Sequence, residues 1–140
     1  MQGQIKWLNG VSFEAESETG HKVILDGPPE SGGANKGMRP MEMIMLGVGG
    51  CASYDVVTIL KKARQEVAGC VATLSGERVD SIPAVFEKLH MHFIVTGREL
   101  KESQVKRAVE LSAERYCSGS IMLGRAGVKV THSYEIKDSD

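Results

Sequence analysis

Two cysteines carry the chemistry that this sequence offers. Cys51 ends the apolar, glycine-rich stretch Pro40-Met-Glu-Met-Ile-Met-Leu-Gly-Val-Gly-Gly-Cys51, and Cys117 follows a second helical stretch in Ala113-Glu-Arg-Tyr-Cys-Ser-Gly-Ser120. They stand 66 positions apart, so only the fold can join them. A thiol that reduces a peroxide must be a thiolate within reach of its substrate. Attack on the O–O bond leaves a sulfenic acid, which a second thiol condenses to a disulfide. An apolar wall of Met43, Ile44, Leu46 and Val48 would suit a greasy hydroperoxide better than hydrogen peroxide. The competing reading is structural: free cysteine is among the most buried residue types, and both thiols would then be small core residues. Cys70, before Val71-Ala-Thr-Leu, reads as a packed structural thiol.

The neighbours of Cys51 set conditions on that chemistry. Asp55 falls at i+4, on the same helix face. Its charge would raise the thiol pKa and oppose activation unless a cation intervenes. Glu42 lies about 13.5 Å up a continuous helix from Cys51, and nearly half a turn round. It reaches that thiol only from another subunit, on an antiparallel partner helix. Arg39 and Arg64 are candidate cations, although such residues are more often surface charges. His90 and His92 share one strand face, but no C-x-x-C or H-E-x-x-H pattern accompanies them. Exposed histidines are expected there, and no metal. A phosphate loop, a dinucleotide fingerprint and a serine nucleophile elbow are all missing, so no cofactor is expected either.

These residues need elements to position them. Residues 3 to 26 read as two or three strands, with a hairpin turn at Asn9-Gly10. Residues 27 to 38 are a loop by composition, long enough to line a site or a subunit contact. Pro40 suits the first position of a helix over residues 40 to 66. Its first half is apolar nearly all round, which implies burial on every side. Gly47, Gly49 and Gly50 within it each cost about 1 kcal/mol relative to alanine. Close approach of a backbone or a ligand would offset that cost. Strands follow over residues 69 to 78 and 84 to 96, with Leu89, Met91, Phe93 and Val95 on one face. A helix over residues 99 to 115 breaks at Cys117-Ser118. A short helix at 120 to 124 and a strand at 128 to 136 complete the order.

The bulk figures agree with one soluble domain over residues 1–140. The 140 residues can bury an ordinary core, and a net charge of −1 leaves no footprint for nucleic acid or an anionic membrane. No apolar run looks long enough to span a bilayer, and the N-terminus reads as no signal peptide. Cytoplasm is the expected compartment, where three cysteines favour free or reactive thiols over a disulfide framework.

With these strings in view, the chain resembles the OsmC/Ohr family of thiol-dependent peroxidases. The resemblance rests on the Pro40 to Cys51 helix, with its Pro-x-Glu start and Gly-Cys end, and on Tyr116-Cys117-Ser118. It extends to Arg39-Pro-Met-Glu-Met, His92-Phe-Ile-Val-Thr-Gly-Arg98, Leu111-Ser-Ala-Glu-Arg-Tyr-Cys117 and Thr131-His-Ser-Tyr-Glu135, which are most similar to the family's YhfA-like branch. The resemblance implies an α+β fold: an intertwined homodimer with curved antiparallel sheets around two central helices and active sites at the subunit interface. It implies that Cys51 is the peroxidatic thiol and Cys117 the resolving thiol, with Arg39 and Glu42 orienting the site. Organic hydroperoxides would be the substrates, in oxidative stress response, and a dithiol of the lipoamide type the reductant. The hydroperoxide-resistance branch has a glutamate directly after the proline, paired with an early arginine. Here Met41 fills that position, Glu42 is one step on, and no arginine precedes Arg39. That departure motivates an alternative reading, a non-catalytic dimer that binds a small apolar ligand in the interfacial pocket.

Overall fold

The computed structural model describes residues 1–140. The chain forms two compact units, Met1–Ile44 and Met45–Asp140.

The first unit is an antiparallel meander of β1 (Gly3–Asn9), β2 (Ser12–Ser17) and β3 (Lys22–Leu25). Gly10 takes a positive φ of 50° at the expected hairpin turn, and Trp7 Nε1–H donates to its carbonyl at 3.0 Å. After β3 the chain enters the predicted loop, and the buried Asp26 carboxylate ties that loop down. It accepts the backbone N–H groups of Gly27 at 2.7 Å, Lys36 at 3.1 Å and Ala34 at 3.2 Å. These donors favour the ionised form, and the Lys36 and Gly27 N–H groups lead in holding the Asp26 carboxyl below its ordinary range.

Helix α1 (Pro40–Lys62) begins at the end of the first unit and continues through the second. It stops earlier than the expected residue 66 because Arg64 adopts a left-handed φ of 58°. Arg64 N–H then donates to the Lys61 carbonyl and Gln65 N–H to the Leu60 carbonyl, which closes the helix in a Schellman arrangement. At 23 residues α1 is long and apolar enough, by length and composition, to cross a membrane, which corrects the reading that no segment is. The same description fits a core helix, and this one carries Cys51 and Asp55 among its packed residues.

In the second unit β4 (Glu66–Arg78), β5 (Phe86–Arg98) and β6 (Lys129–Asp138) form a sheet in that order. The α+β class is as expected, with one difference in pairing. β4 and β5 are antiparallel, but β5 and β6 are parallel. Antiparallel neighbours can be joined by a tight turn, whereas a parallel pair needs a long crossover. The crossover here is α2 (Glu102–Leu111) and α3 (Ser118–Arg125). Leu89, Met91, Phe93 and Val95 share one face of β5 as expected, and all are fully buried together with Val56 and Leu60 of α1.

The all-round burial expected for the start of α1 is not found in the single chain. Val48, Gly49 and Ala52 are buried, but Met43, Ile44 and Leu46 remain 37%, 45% and 45% exposed. Only one side of that helix meets its own chain's core. Gly49 is the one of the three in close contact: a Cβ there would come within 2.6 Å of the Leu74 side chain on β4, which would have to shift, while Gly47 and Gly50 face open space.

The Asp26 contacts carry a pH signature. A group whose folded pKa is depressed adds stability that is present above its unfolded pKa and is lost as pH falls through the folded value. Asp26→Asn is expected to be less stable than the parent at neutral pH, with the difference closing in acid. Denaturant titrations across the carboxylate range check this, and a difference constant with pH would contradict it.

Candidate active site

Cys51 lies one turn past the buried Val48 on α1, and its side chain is half-buried. Cys117 reaches it from the other end of the unit's sequence. The helix breaks at Cys117 as expected, but α2 first runs on into a widened turn, Ser112–Tyr116, which Cys117 N–H closes by donating to the Ser112 carbonyl at 2.9 Å. Such π-type turns insert extra backbone into a helix and are frequent at functional sites. The turn is pinned to α1 by Ser112 Oγ–H, which donates to the Ala52 carbonyl at 3.2 Å.

Cys117 is then the N-cap of α3. Its sulfur accepts the Ser120 N–H at 3.4 Å, as a capping side chain does, and its thiol points at the Val48 carbonyl at 3.9 Å. Gly119 makes this seat possible. A Cβ at that position would lie 3.1 Å from Val48 Cγ2 and 3.3 Å from Val48 Cα, so a side chain there makes α3 and α1 give by a few tenths of an ångström.

The result is a cluster of three groups. One side-chain donor atom from each of Cys51, Asp55 and Cys117 lies within 4.8 Å of the other two. All three cysteines are free thiols. Sulfur atoms at this separation can close a disulfide after a small side-chain rotation. Two thiols and a carboxylate are also a ligand set that a thiophilic ion such as zinc accepts. No other group of three metal-ligating side chains forms.

Burial governs the electrostatics of the cluster. It pushes the Cys117 thiol up from its ordinary value, while the Ser120 hydroxyl and N–H pull it down and the nearby Cys51 adds to the rise. Burial also pushes the Asp55 carboxyl up. The Ser112 hydroxyl, which can turn its one proton toward Ala52 or toward the carboxylate, works against that rise. One carboxylate oxygen, Asp55 Oδ2, is buried without a hydrogen-bond partner. Cys70 on β4 is also raised by burial and lies outside the cluster, in keeping with a structural thiol.

The other residues read from sequence are engaged locally. Glu42 Oε1 accepts the backbone N–H of Arg39 at 2.9 Å, an arrangement that caps the start of α1. The Arg39 guanidinium donates to Asn35 Oδ1 at 3.0 Å and to the Gly37 carbonyl at 3.2 Å. Arg64 is exposed, and it is its backbone rather than its guanidinium that closes the helix end. His90 and His92 are half-buried instead of exposed, because β6 lies beside them. His90 bonds Thr131 at 2.6 Å and Ser133 at 2.8 Å, and His92 bonds Ser133 at 2.7 Å and Glu135 at 3.4 Å. The partners of Cys117 had a signal in the sequence, since Cys117-Ser-Gly-Ser120 has the spacing of an N-cap and its N3 residue. Ser112 had none, because the widened turn that aims it leaves no periodic trace.

The fold and the site thus define an α+β protein in which two thiols and a carboxylate, from α1 and the start of α3, meet in one cluster. Comparison with known proteins agrees with this class. The family model described as OsmC-like protein matches residues 33–133. The chain is 48% identical to Protein YhfA of Escherichia coli strain K12 over 136 residues, covering 97% of this chain and 98% of that protein. A solved hypothetical protein from Aquifex aeolicus VF5 is 27% identical, with a TM-score of 0.85, covering 99% of this chain and 97% of that one. The organic hydroperoxide resistance protein OsmC of Legionella pneumophila shares the fold, with a TM-score of 0.72 at 20% identity over 96% of this chain and 97% of that one. The chain belongs to the OsmC-like family.

The Gly119 contact yields a direct test. Gly119→Val is expected to slow diamide-driven disulfide formation between Cys51 and Cys117 by about tenfold, since a misplacement of about 1 Å costs about 100-fold and the contact with Val48 calls for a smaller one. Timed alkylation and peptide mapping read the rate. An unchanged rate would mean that the α1–α3 contact does not set the thiol spacing.

Proposed function

We propose that this protein is a thiol-dependent peroxidase that reduces organic hydroperoxides through a two-cysteine cycle. The observation that carries the reading is the meeting of Cys51 and Cys117 in one cluster with Asp55. Cys51, the more accessible of the two, attacks the peroxide oxygen and releases an alcohol. Cys117, fully buried behind it, condenses with the resulting sulfenic acid to a disulfide and releases water. A dithiol reductant then restores both thiols by exchange. The apolar residues of the Met41 to Val48 stretch favour an organic substrate. The name of the Legionella relative points the same way.

The whole chain acts as one OsmC-like domain and works as a homodimer in the cytoplasm, in the response to oxidative stress. Support for the dimer comes from the apolar surface that a single chain leaves open. Ile5 and Trp7 on β1 are 62% and 65% exposed, and Tyr54 on α1 is 73% exposed. On β1, Ile5 and Trp7 are two positions apart on one strand face, and exposed neighbouring apolar side chains of this kind favour an interaction surface. In the dimer, Arg39 and Glu42 of one chain orient the site of its partner. Their capping bonds fix both side chains at the start of α1.

Those same bonds favour a second reading. Glu42 and Arg39 are already committed to local hydrogen bonds, so a non-catalytic dimer that holds a small apolar ligand would leave them as they stand. The two readings part on one assay. Cys51→Ser is expected to abolish reduction of cumene hydroperoxide by a dithiol, and Cys117→Ser to stall the cycle after one turnover or to over-oxidise Cys51. Full activity in Cys51→Ser would exclude the mechanism. Sedimentation is expected to give twice the 15.2 kDa chain mass, and a monomer at micromolar concentration would remove the cross-subunit part of the proposal.

A further inference from the structure

Asp55 has no role in the cycle so far, and its position is costly. Its Oδ2 is buried with no hydrogen-bond partner. A buried polar atom left unpaired has lost its hydration with nothing in return, so such an atom calls for an explanation. The carboxylate stands within 4.8 Å of both sulfurs, and its helix turn is tied to the Ser112–Tyr116 turn through the Ala52 carbonyl.

The resolving step has a proton problem that this atom can solve. Cys117 is fully enclosed, and its resting thiol points at the Val48 carbonyl, which cannot take a proton away. Only a thiolate attacks sulfur. Hydroxide leaving the Cys51 sulfenic acid needs a proton at the same moment.

We propose that Asp55 is the proton relay of disulfide formation, taking the proton of Cys117 and delivering it to the hydroxyl that leaves Cys51. This rests on the peroxidase reading above and deepens it. The Asp55 carboxylate accepts the Cys117 S–H proton as the thiol turns from Val48. The Cys117 sulfur attacks Cys51 Sγ, the S–S bond forms and the S–O bond breaks. The departing oxygen leaves with the bonding pair, takes the proton from the Asp55 carboxyl and departs as water. Cys117 is oxidised and the sulfenic sulfur reduced, so the step needs no further oxidant. The Ser120 N–H, which already donates to the Cys117 sulfur at 3.4 Å, stands ready to hold the transient thiolate. Burial raises the Asp55 carboxyl, which makes it a stronger base toward the Cys117 proton than an ordinary carboxylate.

The groups that face Asp55 bear on any pH readout. Cys51 stands on its own helix and Cys117 opposite. Lys62, Tyr54, Arg107 and Tyr116 line the cavity of about 550 Å³ that Asp55 also borders.

The test is a quench-flow experiment on the full chain with one equivalent of cumene hydroperoxide. Dimedone traps the Cys51 sulfenic acid, and mass spectrometry counts sulfenic acid and disulfide from about pH 6 to about pH 9, the span in which free thiols ionise. In Asp55→Asn the sulfenic acid is expected to accumulate and its conversion to disulfide to slow by about 100-fold near neutrality. Conversion should also gain a first-order dependence on hydroxide, because solvent must then deprotonate Cys117. Asp55→Glu should restore part of the rate that does not depend on hydroxide. A merely structural role for Asp55 predicts a slowing uniform across pH, with no rescue by glutamate, and that outcome overturns the relay. Disulfide formation in Asp55→Asn at the parent rate overturns it too while leaving the peroxidase reading intact. No trapped sulfenic acid and no disulfide in the parent protein would overturn both.

Discussion

The site depends on one packing contact, the seat of Cys117 against the Val48–Cys51 turn of α1. Three small features make it. Gly119 has no side chain to hold α3 away from Val48. Ser112 hooks the preceding turn to the Ala52 carbonyl. Cys117 itself caps α3 through the Ser120 N–H. The turn that delivers the cysteine is wider than an α-helical turn, so α2 ends with Cys117 pointing inward. Remove any one of the three and the two thiols still exist, but their separation is held less tightly.

That contact places the two thiols in different surroundings within the same cluster. Cys117 is sealed, its proton held by burial and its sulfur flanked by donors from Ser120. Cys51 is half-open. In the proposed cycle, a thiol that meets a substrate and a thiol that waits for its neighbour have opposite needs for access, and the arrangement is compatible with both. The carboxylate beside them, read from sequence as an obstacle to activating Cys51, becomes useful once the second thiol is considered. A buried base is a liability for the first chemical step and a means of moving a proton in the second.

Much of this was legible in the sequence, where the signal is local. Alternation in Leu89, Met91, Phe93 and Val95 announces a buried strand face, and Pro40 announces the start of α1. Asn9-Gly10 marks the first hairpin. What was not legible depends on contacts between distant residues. The parallel pairing of β5 and β6 follows from where a crossover lands. The end of α1 follows from the left-handed Arg64, a residue type with no preference for that conformation. Half-burial of His90 and His92 follows from the β6 hydroxyls opposite them. The apolar start of α1 was read correctly as a helix; its own chain buries one side of it, and a hydrophobicity pattern reports burial without saying by which molecule. The thiol pair was read as a pair through family resemblance, because a spacing of 66 residues holds no geometric information.

The most direct measurement is a thiol count by mass spectrometry on the purified protein, before and after one equivalent of cumene hydroperoxide. The account predicts a rapid loss of two of the three thiols, a mapped Cys51–Cys117 disulfide and an untouched Cys70. Three unchanged thiols would contradict it and would leave a family fold in which the two cysteines are only part of the packing.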